Sequence, residues 1–227
     1  MFELSVEVSF SAAHQLRGYK GKCENMHGHN WKVQISVMSE DLNDIDLVLD
    51  FHDLKRMARE VIAPLNRYLG LFHRRNLCIV ATRDWHPPNH KSFHEQGGPW
   101  PAHCVAKSEG AAFAKGLVVP EGVWLVSKAT APEREAYSAF EGTDLEPRLK
   151  RLGAKRLFVG GLATDYCVLR TVLDALARGF EVYVLADAIR AVDVNPGDGN
   201  EAEAAMQRDG AIFVHYENLF GEVEPLA

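Results

Sequence analysis

Three side chains in the stretches ATRDWHPPNHKSF and WPAHCV have the types and order to share a divalent cation: Asp84, His86 and His103. Asp84 and His86 leave a strand end two residues apart, so an extended backbone turns both to one side. His103 returns at the far end of the loop. One carboxylate and two imidazoles suit a first-row divalent metal with positions left open for water or substrate. His90 and His94 are further candidate ligands. The same residues also fit a polar loop whose histidines cap backbone groups.

A second constellation is GGLATDYCV. An apolar strand ends at Ala163, Thr164 or Asp165 can cap the helix that follows, and Cys167 falls in its first turn. Backbone N–H dipoles there stabilise a thiolate and can also hold the oxyanion of a tetrahedral intermediate. The alternative is a cysteine buried at a strand–helix junction. Lys128 closes another apolar strand, VWLVSK, at the carboxyl edge where open α/β sheets bind ligands. Its alternative is a surface lysine lying along apolar neighbours.

These positions call for a sheet whose strands end on one edge. CIVATRD (78–84), VWLVSK (123–128), RLFVGGLA (156–163), EVYVLADA (181–188) and AIFVH (211–215) are near-continuous apolar runs, the pattern of strands covered on both faces. Helical stretches are expected at 108–116, 165–178 and 199–209, which gives βαβ units and a parallel sheet. Upstream, 53–71 has helical spacing, with Pro64 expected to kink it or end a turn. Residues 2–10 and 31–38 alternate apolar with polar, as half-buried strands of an antiparallel hairpin do. The fold class expected is therefore α/β, a doubly wound, mainly parallel sheet carrying an N-terminal antiparallel hairpin. Its division is expected at 1–45 for the hairpin and 46–227 for the α/β domain.

Composition bounds the partners. The 227 residues are 47% hydrophobic and 25% charged, ordinary for a soluble globular chain. Twenty-five Lys and Arg against 31 Asp and Glu leave a net charge of −6, which argues against a nucleic-acid partner. Apolar runs stop well short of the ~18 residues of a membrane span. MFELSVEVSF carries acids where an export signal has a basic flank. The four cysteines, Cys23, Cys78, Cys104 and Cys167, are too scattered for a disulfide scaffold. A cytoplasmic enzyme or binding protein is expected, with a homo-oligomer left open.

Residues from about 61 to 220 closely resemble the nicotinamidases, within the isochorismatase-like hydrolases. The stretches that carry the likeness include VATRDWHPPNHKSF, WPAHCV, SKATAPEREAYSAFEGTDL, LFVGGLATDYCVLRTVLDALARGFEVYVLADAIRAVD and AAMQRDGAIF. The resemblance implies a three-layer sandwich in which Asp84, His86 and His103 bind the metal, zinc first with iron or manganese as alternatives. It implies Cys167 as nucleophile and Lys128 as the triad lysine. Backbone N–H groups of Ala163 and Cys167 form the oxyanion hole, with a cis bond before Ala163. Trp100, Tyr137 and Tyr166 form an aromatic wall for the pyridine ring. The activity implied is hydrolysis of nicotinamide to nicotinate and ammonia through a thioester.

The first 60 residues resemble a different family, the tetrahydropterin synthases, through SFSAAHQL, GKCENMHGHNWKVQISV and LVLDFHDLK. That likeness implies His14, His27 and His29 as zinc ligands and Cys23 as a catalytic thiol. Three imidazoles brought together by one hairpin form a zinc site with one position open in their own right. About half of the family's domain is covered, and the half that carries its partner His–Asp pair and pterin-holding glutamate is absent. The chain reads as a fusion near REVIAPLN.

Nicotinamidases begin with a central strand that ends in an aspartate, and no such opening is recognisable here. The run Leu47–Asp50 is the upstream candidate for that slot, which would make Asp50 the acid/base of a Cys–Asp–Lys triad. Otherwise Asp50 caps the next helix. The rival readings are a pterin-forming synthase or lyase at the N-terminal zinc, and a fusion that binds metal without turnover.

Overall fold

The computed structural model describes residues 2–14, 27–39 and 51–220. The chain divides into two compact units, the first ending at Arg56 and the second beginning at Met57. In the first, β1 (Phe2–His14) and β2 (His27–Ser39) pair antiparallel, with Phe2 opposite Ser39 and His14 opposite His27.

The second unit is built on strands β3 (Val80–Asp84), β4 (Trp124–Lys128), β5 (Arg156–Leu162), β6 (Glu181–Arg190) and β7 (Ile212–Val214). All pair in parallel, as β3–β4 and as β5–β6–β7. The five apolar runs are thus strands, four of them trimmed by one or two residues and the 181–188 run extended to Arg190. Among the described residues no strand joins β3 to β5. Leu47–Asp50, the candidate for that slot, lies outside the described residues.

Side-chain alternation along β6 sets the layers. Val182 and Val184 are fully buried on one face, against Val172 and Ala175 of α3 (Leu169–Ala177), Met206 of α4 (Asp198–Arg208) and Leu145 and Leu149 of α2 (Leu145–Leu152). Val126 of β4 belongs to the same core. Leu185 and Ala188 serve the other face, packing with Tyr68, Leu65 and Phe72 of α1 (Phe51–Arg74) and Leu219 of α5 (Tyr216–Phe220). Helices on both faces of a parallel sheet make a three-layer α/β/α sandwich.

Several expected elements differ. The 108–116 stretch is only a 3₁₀ turn at Glu109–Ala111, because two glycines, Gly110 and Gly116, weaken a segment too short to repay helix nucleation. α1 runs through Pro64 to Arg74, although proline cannot donate to the carbonyl four residues back. Its apolar face holds it, with Val61 and Tyr68 buried. α2 was absent from the expected elements, yet Leu145, Leu149 and Leu152 have helical spacing and Gly153 ends it. The helix expected at 165–178 begins as a π-helical turn at Thr164–Val168 and continues as α3. It stops at Gly179, whose φ of 83° suits a residue without Cβ.

Candidate active site

Four chemical groups gather at the carboxyl ends of β3, β4 and β5. The β3–β4 register sets Asp84 directly opposite Lys128. There the Lys128 ammonium donates to Asp84 Oδ1 at 2.5 Å, to the Ala136 carbonyl at 2.9 Å and to Cys167 Sγ at 3.3 Å. Lys128 is 3% exposed, so its charge is held by these partners and not by water. It is no surface lysine.

Cys167 lies in the π-helical turn that follows β5. The Leu162–Ala163 peptide before that turn is cis, as the resemblance implies. Neither Thr164 nor Asp165 caps the helix. The Ala163 carbonyl instead accepts the N–H groups of Tyr166 (3.2 Å) and Val168 (3.0 Å). Asp165 turns away to accept the N–H groups of Val192 and Asp193, at 3.1 and 2.9 Å. Burial pushes the Cys167 thiol up, and the adjacent Lys128 ammonium opposes that shift without cancelling it. For Lys128 burial works downward, but the sulfur and the Asp84 carboxylate outweigh it and hold the ammonium charged.

The 85–104 segment folds back on itself. Phe93 bridges Trp100, Trp100 N–H donates to Ser92 O at 2.9 Å, and His86 bridges Val105. Gly98 sits so close to the Ser92 backbone that a Cβ would fall 2.2 Å from the Ser92 carbonyl carbon. This closure brings the ring of His103 within 4.6 Å of that of His86, edge to face.

Hydrogen bonds to carbonyl oxygens fix the tautomers, since a carbonyl only accepts. His86 Nδ1–H donates to His103 O at 3.0 Å and His103 Nδ1–H to Pro101 O at 2.8 Å. Each therefore keeps a lone pair on Nε2, the form in which imidazole binds a metal. Burial also holds His86 below the usual histidine range. His90 differs: Nε2–H donates to Arg134 O at 3.0 Å, while Nδ1 accepts from the N–H and hydroxyl of Ser92. His90 is 0% exposed and uses both nitrogens within the protein. His94 is exposed and donates to Pro99 O.

His86 and His103 are thus ring neighbours and Asp84 acts on His86 through its charge, but the ligand atoms of these three residues do not all lie within 4.8 Å of one another, and Asp84 is engaged by Lys128. Among the described residues, the ligand atoms that all lie within 4.8 Å of one another are those of His86, His90 and Glu135. Glu135 was not singled out from the sequence. Its only signal there is an acid two residues before Tyr137 in the segment after Lys128.

Trp100, Tyr137 and Tyr166 come together as one cluster. Trp100 Nε1–H donates to the Tyr137 hydroxyl at 3.1 Å, and Tyr166 lies 5.4 Å from Trp100 and 5.6 Å from Tyr137 by ring centroids. The arrangement can hold a flat ring beside a nucleophile and a cation. Asp50 and Cys23 lie outside the described residues. Among the described residues no helix is long and apolar enough to cross a membrane.

The isochorismatase domain model matches residues 45–214, and the 6-pyruvoyl tetrahydropterin synthase model matches residues 3–69. The nicotinamidase of Escherichia coli (strain K12) is 36% identical over 167 residues, covering 64% of this chain and 78% of its own. Among solved structures, the pyrazinamidase of Pyrococcus horikoshii in complex with zinc is 47% identical with a TM-score of 0.66, covering 70% of this chain and 86% of that one. The PnC1 protein of L. infantum in complex with nicotinate is 38% identical with a TM-score of 0.55, covering 60% and 70%.

Proposed function

The chain belongs to the isochorismatase family, and on that footing we propose that it is a nicotinamidase that hydrolyses nicotinamide to nicotinate and ammonia. The observation that carries this reading is Cys167 Sγ 3.3 Å from a buried lysine, at a helix start beside three clustered aromatic rings. Nicotinamidase relatives and the nicotinate-bound neighbour support the substrate class.

In this reading the pyridine ring rests against Trp100, Tyr137 and Tyr166, which aims the carboxamide carbon at Cys167. The sulfur attacks that carbon, and the N–H groups of Ala163 and Cys167 receive the negative charge that builds on oxygen. The carbon–nitrogen bond breaks as ammonia takes a proton, leaving a thioester on Cys167. Water then attacks the thioester, releasing nicotinate and restoring the thiol. Lys128 steadies the thiolate.

The thiol proton needs a base, because burial keeps Cys167 protonated. Asp84 is engaged by Lys128, and we assign the base to Asp50. A family match that begins at residue 45 supports this, since it takes in Leu47–Asp50; on that match we divide the chain at 1–45 and 46–227, upstream of the boundary between its two compact units.

The donor set fits a divalent metal, which we take to be zinc. His86 and His103 keep their Nε2 lone pairs, and the Asp84 charge acts on His86. Held by Asp84, His86 and His103, a bound ion would supply Lewis acidity for orienting the pyridine ring.

A second zinc site is proposed on β1–β2. The register pairs His14 with His27 and Ala12 with His29, so the three histidine positions share one face of the ladder. The match to tetrahydropterin synthases over residues 3–69 supports the site. It gives the pterin-forming alternative less support than the nicotinamidase reading has.

The test is ammonia release from nicotinamide by the full chain, beside Cys167→Ala and Asp50→Asn. Release by the wild type and its loss in both variants, with metal content unchanged in Asp50→Asn, is the expected result. No release by the wild type overturns the reading.

A further inference from the structure

Glu135 is a carboxylate in the segment that follows β4. It is half-buried, its Oε1 accepts only the N–H of Ala136 at 3.0 Å, and it forms no ion pair with any other described residue. Its neighbours are imidazoles: the ligand atoms of Glu135, His86 and His90 lie within 4.8 Å of one another. A half-buried carboxylate beside two buried imidazoles gains from a cationic partner, and no described residue supplies one as an ion pair.

Two features of the site say what that partner is. His86 carries its proton on Nδ1, bonded to the His103 carbonyl, so its Nε2 offers a lone pair. His90 has no nitrogen to spare. Its Nε2–H holds the carbonyl of Arg134, the residue immediately before Glu135, and so fixes the backbone from which the carboxylate extends. His90 thus belongs to the scaffold, and Glu135 and His86 are the members of the group with donors to spare.

Charge balance leads to the same place. Asp84 is paired with Lys128, so that couple brings no net charge to a divalent ion. Glu135 supplies the negative charge that Asp84 has already shared. Two donors on one zinc stand no more than ~4.2 Å apart, twice a ~2.1 Å bond, so His86 and Glu135, with ligand atoms within 4.8 Å, close on an ion with small side-chain movement.

We propose that Glu135 is a further ligand of the divalent ion that His86 holds. The inference rests on the metal reading given above. It goes beyond it by adding a carboxylate from the segment after β4 to donors that otherwise come from β3 and its loop.

The test uses the full chain, stripped of metal and titrated with Co²⁺, whose visible absorption reports the donor set. His86→Ala identifies the part of the signal that belongs to this site and not to β1–β2. Glu135→Gln is expected to weaken Co²⁺ binding here by at least about tenfold and to change the visible band. Glu135→Cys is expected to add a sulfur-to-cobalt charge-transfer band in the near ultraviolet that the wild type lacks, because a thiolate then enters the coordination sphere. If Glu135→Gln does not fold, Glu135→Cys decides alone. Unchanged affinity and spectrum in the variants, with the His86-dependent signal present, overturns this inference and leaves the metal reading standing. Absence of any His86-dependent Co²⁺ signal in the wild type overturns both.

Discussion

Lys128 reaches the Cys167 sulfur across 3.3 Å from its place at the end of β4. The β3–β4 register puts Asp84 opposite the same lysine, so one buried ammonium is held between a carboxylate and a thiol. Burial raises the thiol and the ammonium pulls against it. The resting pair is therefore ammonium and thiol, and the lysine's work begins when the proton leaves sulfur.

Lys128→Met is expected to remove a charge-assisted hydrogen bond worth about 1.5–3 kcal/mol, or ~10–100-fold in rate. Alkylation of Cys167 by iodoacetamide, followed against pH, measures this without substrate. Only thiolate reacts, so a thiol pushed up puts the midpoint of the wild-type rate profile above pH ~8.5, the midpoint for an ordinary cysteine. In Lys128→Met the midpoint moves to higher pH still. A wild-type plateau below pH ~8, or a profile unmoved by the substitution, contradicts this account of the pair.

Removal of metal by a chelator is expected to abolish ammonia release while leaving circular dichroism of the α/β unit in place, since its core lies among β4, β6, α2, α3 and α4. Activity returns with Zn²⁺. His86→Ala should prevent that return and lower the metal content by one ion per chain. Because imidazole binds only when neutral, affinity falls as pH drops through the His86 range. Burial places that range below the usual one, so binding persists to a more acidic pH than for an exposed histidine site. Full activity in the metal-free protein excludes the role given to these residues.

Tyr68 ties α1 to β6 by donating its hydroxyl to Asp187 Oδ1 at 2.7 Å from a site 3% exposed. Tyr68→Phe is expected to cost about 1.5–3 kcal/mol and to lower Tm by about 3–10 °C. Burial first, then the Asp187 carboxylate, raises the phenol well above its usual range. Its folded pKa thus exceeds the unfolded one, so this contribution is whole below pH ~10 and is lost as pH rises further. Thermal melts of both proteins between neutral and alkaline pH check it. Equal Tm values at neutral pH would show that the bond contributes nothing.

The strand ends were legible in the sequence because parallel strands announce themselves as apolar runs, and Asp84, Lys128 and Cys167 follow from where those runs stop. The Asp84–Lys128 pair was not, because neighbour order in a sheet is set by crossovers that local pattern does not encode. Glu135 and the scaffold role of His90 escaped for a related reason: both sit in irregular segments closed by long-range hydrogen bonds, such as that from the His90 side chain to the Arg134 carbonyl across 44 positions. α2 was a different matter. Leu145, Leu149, Leu152 and the terminating Gly153 carry an ordinary helix signature. The N-cap expected of Thr164 or Asp165 failed because a π-helical turn opens that helix and Asp165 is taken by the 192–193 backbone.

The central claim is that Cys167 carries the acyl group of nicotinamide. Protein quenched in acid during turnover and examined by intact and peptide mass spectrometry tests it most directly. One nicotinoyl group on the peptide containing Cys167, present in the wild type and absent in Cys167→Ser, is the expected result. Ammonia release that continues unchanged in Cys167→Ser, with no acylated peptide in the wild type, would contradict it.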